Sequence, residues 1–199
     1  YYKQSISSPL AIGAEFARLY QEWAWSAGKK KFPAELFSEN VPANAYIKFK
    51  ISEYLRSITP SSLSKISKTA LTAELASLAK IRPHAIITTN FDQFLEVLFP
   101  DYHPIIGQQI IRGASVSVGE IFKIHGCVSV PDSLVFTQSD YDAFIKKKKY
   151  LSAKLLTYFS EHPLVFLGYS ASDPNIRAIL SDIDEALPTA GGIISNVFI

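Results

Sequence analysis

Two short polar clusters, Thr88-Thr89-Asn90-Phe91-Asp92 and Lys123-Ile124-His125-Gly126, each follow directly on an apolar run. An amide, a carboxylate and an imidazole can together orient a water or hydroxyl, favour a developing positive charge and accept a proton. A free imidazole titrates near about pH 6.5, which suits the last task at neutral pH. Taken singly, neither cluster is specific. Asn and Asp are common helix caps, and a His before a Gly is often only a turn residue. Capping accounts for one of Asn90 and Asp92 more readily than for both. A third stretch, Leu164-Val165-Phe166-Leu167-Gly168-Tyr169-Ser170, is followed by Asp173-Pro174. Glycine ending an apolar strand, then hydroxyls and a helix N-terminus, makes a cradle for a ribose or phosphate, and a plain strand-to-helix turn reads equally well.

The elements before these clusters position them. Ala85-Ile86-Ile87 and Ile121-Phe122 read as buried parallel strands, so both clusters fall at strand carboxyl ends, where loops of an open α/β sheet converge on one crevice. From Arg82 onward short apolar runs alternate with helical stretches, the signature of βα units. The strand candidates are 85–89, 104–106, 120–124, 133–137, 164–168 and 192–198, and the helix candidates are 91–99, 138–160 and 174–186. Residues 1–80 read as helical instead. Phe16, Leu19, Tyr20 and Trp23 recur at intervals of three and four in a first helix that ends at Gly28. Tyr46 to Ile58 carry a second, and Ser61-Ser62 cap a third with Leu63, Ile66, Leu71, Leu75 and Leu78 on one face. The expected organisation is a helical segment or insertion over 1–80 packed on the same domain as a Rossmann-like core over 81–199.

Composition narrows the function classes. A hydrophobic content of 48% excludes a disordered chain, and a formal charge of +2 directs the protein toward no polyanion. Lys146-Lys147-Lys148-Lys149 spread around a helix and read as a solvated face. No apolar run approaches the roughly 18 residues that span a bilayer, and the first residues lack signal-peptide order, so no membrane association is expected. A single cysteine, Cys127, forms no internal disulfide and builds no four-cysteine zinc site, which fits a reducing cytoplasm. The chain starts at Tyr1 and contains no methionine, so it reads as a piece of a longer protein.

In this order the pieces resemble the sirtuin-like fold family, over roughly residues 81–187. In sirtuins a Thr-Gln-Asn-Ile-Asp motif helps hold the nicotinamide ribose of NAD, a later His-Gly supplies the general base, and a strand ending in Gly-Thr-Ser binds the adenosine side. Asn90, Asp92, His125, Gly126, Gly168 and Ser170 fall on those positions, while Thr89 stands where sirtuins carry Gln. Classical deacetylases also carry a zinc module of two cysteine pairs, which this chain lacks. The closer resemblance is to the zinc-less NAD-hydrolysing domains of bacterial anti-phage defence proteins, whose pattern Leu134-Val135-Phe136-Thr137 and Asp140-Tyr141 follow.

The resemblance implies a Rossmann-like parallel sheet flanked by helices, without a zinc module, that takes NAD as substrate and needs no metal. It implies Asn90 and His125 as catalytic residues, with Thr89, Asp92, Gly126, Gly168, Ser170 and Asp173 around the dinucleotide. The family's Gly-Ala-Gly-x-Ser loop has no counterpart near Ser8 to Gly13 and is expected upstream of Tyr1. Unrestrained NAD loss would poison a host, so a gate is expected: a homo-oligomer or an assembly with other defence components, triggered by a phage-derived protein or nucleic acid through other domains. Two other readings compete. One is a non-catalytic NAD or ADP-ribose sensor or assembly module, and the other is an NAD-dependent deacetylase. A serine hydrolase is disfavoured, because Gly168-Tyr169-Ser170-Ala171-Ser172 lacks the closing glycine of a nucleophile elbow and no His follows His162.

Overall fold

The computed structural model describes residues 9–107 and 118–168, with Arg177, Leu180, Ser181, Glu185, Val197 and Phe198 beyond them. The chain divides into two compact units, Tyr1–Gln138 and Ser139–Ile199.

The first unit opens with helix α1 (Pro9–Trp25), which packs on α2 (Ala45–Ile58). The face that α1 buries is not the aromatic one that its periodicity suggests. Phe16 and Trp23 remain 40% and 38% exposed, whereas Gly13, Ala17 and Ala24 are buried on one face with Tyr20 beside them. Small residues there let the helix backbone come close to its neighbours: a Cβ on Gly13 would lie 2.6 Å from the Phe136 carbonyl oxygen. The core beside α1 is aromatic. Tyr46 is 1% exposed, meets Phe32 edge-on at 5.5 Å, accepts a hydrogen bond from Trp25 Nε1 (2.7 Å) and donates one to the Leu36 carbonyl (2.8 Å). On α2 a second, polar stripe of Asn44, Lys48 and Ser52 is also buried, and Asn44 Nδ2 donates to Thr137 Oγ1 at 3.2 Å.

The third helix differs from the sequence reading at its start. Ser61-Ser62 do not cap it. The chain makes a single 3₁₀ turn at Leu63–Lys65, and α3 then runs from Thr69 to Ala79 with no side-chain cap.

Three parallel strands follow: β1 (Ala85–Thr88), β2 (His103–Ile106) and β3 (Glu120–Lys123), with α4 (Phe94–Leu98) between the first two. Their order is β1-β3-β2, so the last strand lies in the middle, where all four of its residues are buried. Continuous burial on both faces explains the unbroken Ile121-Phe122 run. Leu98 and Phe99 pack on Ile121, with Leu75, Leu78 and Ala79 of α3, Ile86 and Leu95 around them. The fold is therefore a Rossmann-like parallel sheet flanked by helices, with a helical N-terminal region.

The expected strand at 133–137 does not form. A 3₁₀ turn occupies Pro131–Ser133, and the extended residues after it pair with no strand. The Val135 amide is instead bonded to the His125 carbonyl at 2.9 Å, which ties this segment to the loop after β3.

In the second unit, α5 (Gln138–Glu161) leads into β4 (Leu164–Val165), which pairs in parallel with β5 (Val197–Phe198). The Phe166 amide extends that pairing to the Phe198 carbonyl at 2.8 Å. Arg177, Leu180, Ser181 and Glu185 are helical, within the stretch read as a helix over 174–186. No helix among the described residues is long and apolar enough to cross a membrane.

Candidate functional site

β1 and β3 pair in register, Thr88 opposite Lys123, so the two polar clusters leave adjacent parallel strands at the same rung. Three hydrogen bonds then stitch the two loops to each other. The Ile124 amide donates to the Thr88 carbonyl (3.1 Å), the Val128 amide to the Phe91 carbonyl (2.9 Å), and Lys123 Nζ to the Asp92 carbonyl. Neighbouring strands lie about 4.8 Å apart, which sets the spacing between the loops.

Within the first loop the backbone turns through side-chain contacts. The Asn90 amide donates to Thr88 Oγ1 at 3.0 Å, and the Phe94 amide to Asp92 Oδ1 at 2.8 Å. Asp92 thus closes an Asx turn that begins α4, which is why the helix starts at Phe94 and not at residue 91. Asn90 is exposed, and its side chain makes no hydrogen bond among the described residues. Thr89 beside it is half-buried.

His125 lies deeper than the rim position that its place in the sequence suggests: it is 3% exposed. The loop that follows it is tightly bonded to itself and to the His125 backbone. Gly126 turns the chain at φ +93°, Cys127 N donates to Ser133 Oγ (3.0 Å), Ser133 Oγ donates to the Val130 carbonyl (2.5 Å), and Val135 closes back on the His125 carbonyl. A Cβ at position 126 would lie 2.2 Å from the Ser133 carbonyl oxygen, so only glycine fits the turn.

Gly168 belongs to the second unit, where it is exposed with φ +62°. Ser170 and Asp173 lie outside the described residues. Among the described residues no group of three or more His, Cys, Asp or Glu side chains gathers as metal ligands.

Sequence reasoning passed over Lys123 and Glu96. Lys123 is fully buried at the end of β3, and besides the Asp92 carbonyl its ammonium meets both Glu96 carboxylate oxygens at 3.1 and 3.3 Å. Cys127 Sγ lies 3.9 Å from Glu96 Oε1 and is buried like Lys123, while Glu96 is half-buried. The signal was a lysine inside an apolar strand, Ile121-Phe122-Lys123-Ile124.

Three NAD(+) hydrolases named ThsA share sequence with this chain. The Bacillus cereus protein is 30% identical over 125 residues, 60% of this chain and 26% of that protein. The Enterococcus faecium protein is 30% identical over 116 residues, 53% and 23% respectively, and the Acinetobacter baumannii protein 27% over 111 residues, again 53% and 23%. The chain thus spans about a quarter of the length of the curated relatives it matches. Residues 84–195, which hold both polar clusters and more than half of the chain, match the family described as the SIR2-like domain, and the chain belongs to that family.

Proposed function

We propose that this chain is the NAD-degrading part of an anti-phage defence protein, a hydrolase that cleaves the nicotinamide-ribose bond. The observation that carries the reading is the stitching of the Asn90 loop to the His125 loop across adjacent strand ends, in a SIR2-like chain related to NAD(+) hydrolases. In the reaction the C1′–N bond breaks and its electron pair leaves with neutral nicotinamide. Water, or a hydroxyl of the same molecule, adds to the oxocarbenium-like carbon and gives ADP-ribose or a cyclic isomer. Asn90, exposed and with a side-chain amide that makes no hydrogen bond among the described residues, orients that nucleophile and the ribose. His125 accepts the proton it loses. Asp92 keeps the Asn90 turn in shape through its bond to the Phe94 amide and adds negative charge near the cationic transition state.

Thr89 and Gly126 line the nicotinamide ribose in this reading, and Gly168, Ser170 and Asp173 take the adenosine side. Residues 81–199 form the dinucleotide core and 1–80 a helical segment on it, in line with the family match over 84–195. No metal takes part. The parent protein works as a homo-oligomer or within a defence assembly, gated by a phage-derived trigger acting through its other segments.

The burial of His125 favours a second reading, a turn histidine in a domain that binds NAD or ADP-ribose without cleaving it. One experiment separates the two. The full-length protein with its trigger is incubated with NAD and the products are resolved by chromatography. Asn90→Ala and His125→Ala are each expected to lower turnover by about 100-fold to 10,000-fold, Asn90→Ala at unchanged melting temperature and His125→Ala compared at equal folded protein because its side chain is buried, and His103→Ala to change little. Intact NAD under conditions that trigger the protein's cellular effect would remove the hydrolase reading. Near-wild-type turnover in His125→Ala would remove the base.

A further inference from the structure

Lys123 raises a question that packing does not answer. An ammonium with no exposure sits at the end of the central strand, although buried ion pairs seldom stabilise a fold more than well-packed apolar side chains of the same volume. What an apolar side chain cannot do is hold a loop carbonyl. Lys123 Nζ holds the carbonyl of Asp92, two residues from Asn90, and is anchored in turn by the Glu96 carboxylate on the first turn of α4. Among the described residues the backbone amide of Asn90 bonds the Thr88 hydroxyl, within its own loop, so beyond the Ile124–Thr88 bond the loop is held by Lys123 and by the Val128–Phe91 bond.

We propose that Lys123 is a positioning residue: its buried ammonium clamps the Asn90 turn and the start of α4 to the strand that carries His125, and so fixes the distance between the two reactive side chains. The inference rests on the NAD-cleaving reading for its consequence in catalysis, while the clamp itself can be observed without turnover. Loosening the Asp92 carbonyl lets the Asn90 turn drift, and a misplacement of about 1 Å costs on the order of 100-fold in rate. The loss falls on kcat, because the clamp touches no substrate.

Lys123→Met alone would strand the Glu96 charge and can unfold the protein for that reason, so the test uses Lys123→Met/Glu96→Gln in the full-length protein. Three quantities are read: melting temperature, backbone amide exchange, and kcat and KM for NAD. The double variant is expected to stay folded, with the Asn90 and Phe94 amides exchanging at least about tenfold faster and the Ile124 amide unchanged. Its kcat should fall by about 100-fold and its KM move by less than about threefold. Unchanged exchange at Asn90 and Phe94 would overturn the clamp. Faster exchange with wild-type kcat would overturn the positioning role. A wild-type protein that leaves NAD intact would fail the function reading instead, and the exchange measurement would still decide the clamp.

Discussion

Gly126 and Gly119 form a matched pair for testing whether the turn after His125 depends on one close approach. Both are buried and both adopt a backbone that L-residues avoid, φ +93° and φ +96°. They differ in the space around them. A methyl at Gly119 would meet the Tyr102 ring at 3.5 Å, an ordinary contact, whereas at Gly126 it would fall 2.2 Å from the Ser133 carbonyl oxygen and 2.7 Å from Ser133 Oγ. The Ser133 peptide cannot simply move aside, because its amide is bonded to Val130 and its hydroxyl holds the Cys127 amide. Alanine at either position stores about 1–3 kcal/mol of backbone strain. Only at 126 does overpacking add about 1–3 kcal/mol more. At about 2–4 °C per kcal/mol for a chain of this size, Gly126→Ala should melt about 6 °C below Gly119→Ala. Thermal unfolding followed by circular dichroism measures the difference, and chromatographic NAD turnover should fall further in Gly126→Ala, because the strained turn directly follows His125 and its loop bonds the His125 carbonyl. Equal melting temperatures for the two variants would refute the argument, since the loop would then have absorbed a clash that its hydrogen bonds are held to forbid.

Two further substitutions isolate single interactions. Asp92→Ala should lower unfolding free energy by about 1 kcal/mol through loss of the Phe94 cap, whereas Asp92→Asn, which keeps an acceptor, should stay within a few tenths; equal losses in denaturant titrations would remove the capping role. Tyr102, whose hydroxyl donates to the Pro83 carbonyl at 2.6 Å, has its phenol raised above the ordinary 10.0 by desolvation. The fold therefore favours the neutral phenol, and that stability is complete below about pH 10 and lost as pH rises through the higher folded value. Tyr102→Phe should be less stable at pH 8, by about 1 kcal/mol for the lost hydrogen bond, and the gap should shrink above pH 10; a constant gap would show that the phenol does not titrate with unfolding.

The parts of the fold that depend on local pattern were legible. Apolar runs gave β1, β2 and β3 within a residue or so, and α1, α2 and α5 followed from periodicity and from Gly28 and Pro60. What failed depended on partners far along the chain. Residues 133–137 have strand composition, but their amide is taken by His125, ten residues before Val135. The small face of α1 prevailed over its aromatic one because the neighbouring backbone needed room, which no helical period reveals. At the candidate site, Asn90 and His125 could be placed at strand ends from sequence. The pairing of Lys123 with Glu96, 27 residues apart, could not, because a lysine closing an apolar strand looks like ordinary solvation until the helix over it is known.

Gly13 ties the helical region closely to the segment that follows His125. A side chain between two elements can change rotamer and absorb small movements, but at position 13 the backbone of α1 meets the Phe136 carbonyl with no side chain between them. A residue larger than glycine at position 13 would displace one of the two backbones. The next link is the Val135 amide, already bound to the His125 carbonyl. Two contacts therefore connect the first helix to the histidine: the close approach at Gly13 and the backbone hydrogen bond from Val135 to His125. A side chain at position 13 would press on the Phe136 carbonyl, one residue from the amide that holds the His125 carbonyl, so the fit of the helical region and the backbone at His125 share one short stretch of chain.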